Sequence, residues 1–197
     1  MAGPRKKRSG SSAIVRPRDL VRDGHSREAV YEMVRAGELT RIGHGLYVQQ
    51  GGARSVHRSL AELAMAVPGG VICLLSALRF HDLTTQAPSK VWLAIENKAW
   101  RPVVAAAGGI QLVYMSGDAF ASGIEMHRIE NVNVPIFSAA KSVADCFKYR
   151  NKIGVDVAVE ALRDFLSRNR RGADEVWRYA KIDRVVNVIR PYLEAAT

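Results

Sequence analysis

The stretch from residue 17 to residue 49 constrains this chain more than any other, because its punctuation marks two helices and a hairpin in quick succession. Pro17 suits the first position of a helix, where a missing N–H costs nothing; Asp19, Leu20 and Val21 continue that helix, and Asp23-Gly24 breaks it. Ser26 then serves as N-cap of a second helix. In that helix Ala29, Val30, Met33 and Val34 form one apolar stripe, and Arg27, Glu28, Tyr31 and Arg35 lie on the opposite face. Ala36-Gly37 ends it, and residues 39–42 and 46–48 read as strands that turn at Gly43-His44-Gly45. A tight turn sets two such helices at a steep angle, so the N-terminal part of the second can enter a DNA major groove while the hairpin forms a wing. Residues 17–50 therefore read as a winged helix-turn-helix. Its expected DNA contacts are Arg18, Ser26, Arg27 and Tyr31, with Arg41 and His44 on the wing. His44 reads equally well as a solvated turn residue, and winged helices also serve as protein-interaction modules.

Charge supports a polyanionic partner. The chain carries 29 Lys and Arg against 19 Asp and Glu, a net charge of +10, and clustered cations bind nucleic acid by releasing its counterions. Residues 1–18 hold six basic groups and no acidic one, whereas residues 19–50 hold four basic and five acidic. The excess sits in the tail and in the C-terminal part, where residues 51–197 hold 19 basic and 14 acidic groups. Residues 1–16 read as a disordered basic tail, since the Arg5 to Arg8 run among Gly, Pro and Ser has nothing to bury. It serves as a DNA arm or as a solubilising extension.

A short Gly- and Ser-containing connection at residues 51–55 precedes a second unit, expected over residues 55–197. Helices are expected at 57–67 and 76–81, strands at 91–95, 110–114, 124–129 and 134–137, and helices again at 139–149, 155–167 and 173–193. A division of the last helix is expected near Asp183, and a kink or stop at Pro191. Helices around a mixed sheet of about four strands make the chain α/β, or α+β. Its longest apolar runs fall far short of the ~18 residues a membrane span needs, and no apolar block follows the basic N-terminus as a secretory signal requires. A cytoplasmic protein without membrane contact is expected. Cys73 and Cys146 lack metal-ligand spacing and read as buried free thiols.

Three segments resemble a known family: RAGELTRIGHGLYV at 35–48, SALRFHDLTTQAPSKVWLAI at 76–95 and VPIFSAAKSVADCFKYRNKIGVDVAVEAL at 134–162. They look like the N-terminal winged helix and the C-terminal domain of AbiEi antitoxins. The resemblance spans roughly residues 17–170. It implies a type IV antitoxin whose winged helix represses a shared promoter at inverted repeats, and whose C-terminal domain counteracts a nucleotidyltransferase toxin without needing a stable complex with it. Members of the family carry a further helix before the segment that begins here near Pro17, and the basic 5–15 stretch occupies that place. Either the gene starts further upstream or a short first helix leaves its packing role to the other unit.

Within the second unit, Lys141, Asp145 and Lys148 fall at i, i+4 and i+7, which places them on one helix face with Arg150 and Lys152 extending it. This strip reads as the antitoxin surface, engaging nucleic acid or an acidic partner, or else as a solvated face held by i, i+4 pairs. An alternative function is a metal-dependent nuclease, since Asp82 precedes the strand-ending Glu96-Asn97-Lys98 in the order two carboxylates and a lysine require. A third is an orphan winged-helix transcription factor. His57, His81 and His127 show no ligand or triad spacing and read as structural. No glycine-rich phosphate loop is present, so a non-enzymatic protein without cofactor or metal is expected.

Overall fold

A computed structural model describes residues 14–43, 45–49, 57–99, 102 and 109–196. The Arg5 to Arg8 run, His44 and the 51–55 connection lie outside these residues. The N-terminal unit runs β1 (Ile14–Val15), α1 (Pro17–Arg22), α2 (Arg27–Arg35), β2 (Leu39–Gly43) and β3 (Leu46–Gln49). The three strands form one antiparallel sheet in the order β1-β3-β2, with Ile14 opposite Val48 and Thr40 on the other side of Val48. Strand, helix, turn, helix and a two-stranded wing closed by the first strand make a winged helix-turn-helix. Ile14–Arg16 thus belong to the folded unit and not to a disordered tail. Arg16 anchors it, donating from its guanidinium to the Met65 carbonyl at 2.5 Å.

The second unit continues with α3 (Arg58–Ala66), β4 (Val71–Ile72), α4 (Leu74–Phe80), β5 (Val91–Glu96), β6 (Ile110–Met115), α5 (Asp118–Ala121), β7 (Ile124–Ile129) and β8 (Val132–Phe137). Five helices follow: α6 (Ala139–Lys148), α7 (Arg150–Ile153), α8 (Val155–Arg168), α9 (Gly172–Ile182) and α10 (Val186–Ala196). The sheet has five strands, one more than expected, in the order β6-β5-β4-β8-β7. It is mixed: β5 with β6 and β4 with β8 are parallel, whereas β4 with β5 and β7 with β8 are antiparallel.

Period-two alternation along the central strands sorts the core into two layers. Val71, Ala94, Val113 and Phe137 face the helices α4, α6, α8, α9 and α10, packing with Leu78, Val143, Phe147, Leu162 and Ile189. Their neighbours Ile72, Leu93, Ile95, Val134 and Ile136 face the other way, onto Leu60, Ala61 and Leu63 of α3 and onto Ile14 and Val48 of the N-terminal sheet. The winged unit therefore shares a core with the central sheet. The last helical stretch divides at Asp183, as its sequence suggests, but Pro191 lies inside α10 and does not end it. Burial of Ile189 and Leu193 on either side holds the helix together past the missing N–H. No helix among the described residues is long and apolar enough to cross a membrane.

Candidate nucleic-acid interface

Local sequence sets the two-helix geometry. Pro17 opens α1 at its first turn, Asp23 closes it, and Gly24 turns the chain at φ +101°, a conformation that only glycine adopts freely. Ser26 then caps α2, its Oγ accepting from the Ala29 N–H at 3.1 Å. Of the stripe expected to pack, only Val30 is buried; Ala29 and Met33 are half-buried and Val34 is exposed. The helix thus touches its unit along a narrow line and presents a broad face outward. Ser26, Arg27, Tyr31 and Arg35 lie on that open surface, and Tyr31 is 73% exposed. An exposed tyrosine of this size adds nothing to the core, whereas its ring and hydroxyl suit a base edge or a phosphate.

Arg27 and Arg35 make no ion pair among the described residues. Arg18 is exposed on α1, its Nε 4.0 Å from Asp19, with Arg22 flanking the same carboxylate at 3.7 Å. Arg41 is exposed on β2 of the wing, opposite Tyr47. Glu28 and Glu32 share the surface of α2, so its charge is mixed and not a uniform basic patch.

In the second unit the expected solvated strip is corrected. Lys141 and Asp145 are fully buried, because the face of α6 that carries them packs against α9 and not against water. The Lys141 ammonium bonds to Asp145 and lies 3.4 Å from Asp183 Oδ2, while Lys148 reaches Asp183 Oδ1 at 3.2 Å. Lys141 also sits 5.0 Å from the centre of the Phe137 ring. Burial pushes the Asp145 carboxyl well above the ordinary range, Lys141 opposes that rise and Asp183 adds to it. The second oxygen of Asp145 has no hydrogen-bond partner among the described residues. Tyr149, beside this network, is pushed up to about 12, by burial first and by Asp145 next.

Asp183, the group that joins the two lysines, is remote in sequence and carried no local signal. The outer part of the strip remains near the surface. Lys148 and Arg150 are half-buried, Arg150 donating to the Phe147 carbonyl at 2.9 Å, and Lys152 is exposed with its ammonium 5.6 Å from the Tyr149 ring centre. Cys73 and Cys146 are buried free thiols whose pKa values burial pushes up, which leaves them unreactive. Asp82, Glu96 and Lys98 are all exposed, and no hydrogen bond or ion pair joins them among the described residues.

Residues 8–48, which span the winged unit, match the family described as "Transcriptional regulator, AbiEi antitoxin". The N-terminal segment is thus similar to that of AbiEi antitoxin regulators. A transcriptional regulator of that description agrees with the outward face of α2. The whole fold is similar to the crystal structure of the RV2827C protein from Mycobacterium tuberculosis, with a TM-score of 0.54 and 11% identity. That likeness covers 94% of this chain and 77% of the other. It concerns the fold alone. No curated protein matches the chain.

Proposed function

We propose that this AbiEi-like protein represses its own promoter and acts as the antitoxin of a two-gene operon whose toxin is a nucleotidyltransferase. The observation that carries the reading is α2: a capped helix following a tight turn, bound to its unit by one buried residue and presenting Arg27 and Tyr31 outward. In this reading Arg27 and Tyr31 read base edges, Ser26 and Arg18 hold phosphates, and Arg41 and His44 bring the wing against the backbone. The operator is double-stranded DNA with inverted repeats, and the protein works in the cytoplasm by occupancy, without catalysis. The second unit supplies the antitoxin activity. Lys148, Arg150 and Lys152 form its contact surface, with Lys141 and Asp145 fixing α6 from beneath. The toxin is counteracted without a stable complex.

A promoter fusion and a growth assay test the two activities separately. The full chain is expected to silence a reporter driven by its own upstream region and to restore growth when the neighbouring nucleotidyltransferase is expressed. Arg27→Ala with Tyr31→Ala relieves repression and leaves growth rescue intact; Lys148→Ala with Lys152→Ala does the reverse. A chain that represses but never restores growth is a regulator without a toxin, and the antitoxin half of the proposal then fails.

A further inference from the structure

Spacing in the sequence leaves three histidines unconnected, but the fold gathers two of them with a carboxylate. His81 ends α4, and Glu125 and His127, two residues apart, share one face of the edge strand β7. One donor atom from each of His81, Glu125 and His127 lies within 4.8 Å of the other two. The His81 and His127 rings meet with centres 5.9 Å apart, and both stack edgewise on Phe80, at 5.2 and 4.6 Å. His127 Nε2 already lies 3.3 Å from Glu125 Oε2. His81 Nε2 lies 2.8 Å from the Phe137 carbonyl. A carbonyl only accepts, so the neutral His81 ring carries its proton on Nε2 and its lone pair on Nδ1. A ring fixed in this way through one nitrogen is the usual support of a metal-bound histidine.

We propose that His81, Glu125 and His127 bind a divalent transition metal, zinc by the chemistry of the donors. Two imidazole nitrogens and one carboxylate oxygen suit zinc, whereas magnesium and calcium favour all-oxygen shells. Zinc bonds of about 2.0–2.2 Å place tetrahedral donors roughly 3.3 Å apart, so the trio closes by up to about 1.5 Å on binding. Glu125 is exposed, so its side chain can make most of that adjustment, while the half-buried His127 ring keeps its contact with Phe80. The ion then ties the end of α4 to the outermost strand of the sheet, and its fourth position stays open to water or to a donor from another molecule. None of the residues assigned to DNA contact takes part.

The test is zinc titration of the chelator-treated, tag-free full chain in competition with a chromophoric chelator, repeated with cobalt as a spectroscopic probe. One zinc per chain is expected, with a rise in melting temperature and the visible bands of low-coordinate cobalt. Glu125→Gln is expected to weaken zinc by at least about tenfold and His127→Ala to abolish the stoichiometric site. Both variants should keep the circular dichroism of the metal-free parent. Glu125→Gln should also keep its melting temperature, whereas His127→Ala gives up the ring contact with Phe80, so its zinc effect is read against its own metal-free melting temperature. Zinc binding that is substoichiometric, or that both variants retain, would mean scattered surface histidines only and would overturn the proposal. So would an equal rise in melting temperature with magnesium.

Discussion

At the scale of single residues, the decisive feature of the second unit is the buried charge network. Lys141, with no exposure at all, lies between Asp145 and Asp183, and Lys148 completes the set from the rim. Two ammonium groups and two carboxyl groups offset each other, which is the condition under which buried charge is tolerated. Removing one member is costly because it strands another. Lys141→Met is expected to lower stability by about 3–5 kcal/mol in urea or thermal unfolding. Adding Asp145→Leu should recover most of the loss, since Asp183 keeps Lys148. A single Lys141→Met variant as stable as the parent would mean that water reaches the network. Sequence alone placed Lys141, Asp145 and Lys148 on one helix face correctly but faced them to solvent, because helical spacing reports alignment and not what covers it. Asp183, the residue that decides the matter, lies 42 positions from Lys141, at the cap that follows α9.

At the scale of elements, the long periodic segments were legible and the shortest ones were not. Ser26 with its following stripe located α2, and the turn before it located α1, since caps and turns are written into local sequence. The strands β1 and β4 are two residues each, too short to show a period, and exist because the sheets pair with them. Ser26→Ala should cost about 1 kcal/mol of helix stability. Amide exchange at Ala29 is expected to quicken, and DNA affinity to fall with it; unchanged exchange would show that the cap does not hold the helix start. The β7–β8 turn offers a gain instead. Glu130 and Asn131 both sit at positive φ between the paired Ile129 and Val132, the geometry of a two-residue turn that favours Asn and Gly. Glutamate in that conformation carries a penalty of about 1 kcal/mol, so Glu130→Asn should raise the melting temperature by up to about 2–4 °C, less what the half-buried Glu130 side chain contributes through its own contacts. Differential scanning calorimetry would detect it.

At the scale of the whole molecule, the winged unit and the sheet domain are expected to unfold together, because Ile14 and Val48 pack with Leu60, Leu63, Leu93 and Ile136 in a shared cluster. The sequence reading placed a boundary near residues 51–55 and could not show this, since a core assembled from distant segments leaves no mark in any one of them. A fragment of residues 1–56 loses the α3 half of that cluster and the Arg16 anchor, and is expected to show no cooperative thermal transition by circular dichroism. The full chain should melt in one step, and Leu63→Ala should lower that step by about 2–5 kcal/mol. Two separate transitions, with only the later one shifted, would contradict a shared core.

The central claim is that α2 reads a specific operator, and fluorescence anisotropy tests it most directly. The full chain would be titrated against a labelled duplex from its own upstream region and against a scrambled duplex, at about 150 mM salt, where sequence-independent binding weakens. A preference for the upstream region of at least about tenfold, abolished by Arg27→Ala, is the predicted result. Equal, salt-sensitive binding to both duplexes, unmoved by Arg27→Ala, would contradict the claim and leave the basic N-terminal residues as the source of affinity.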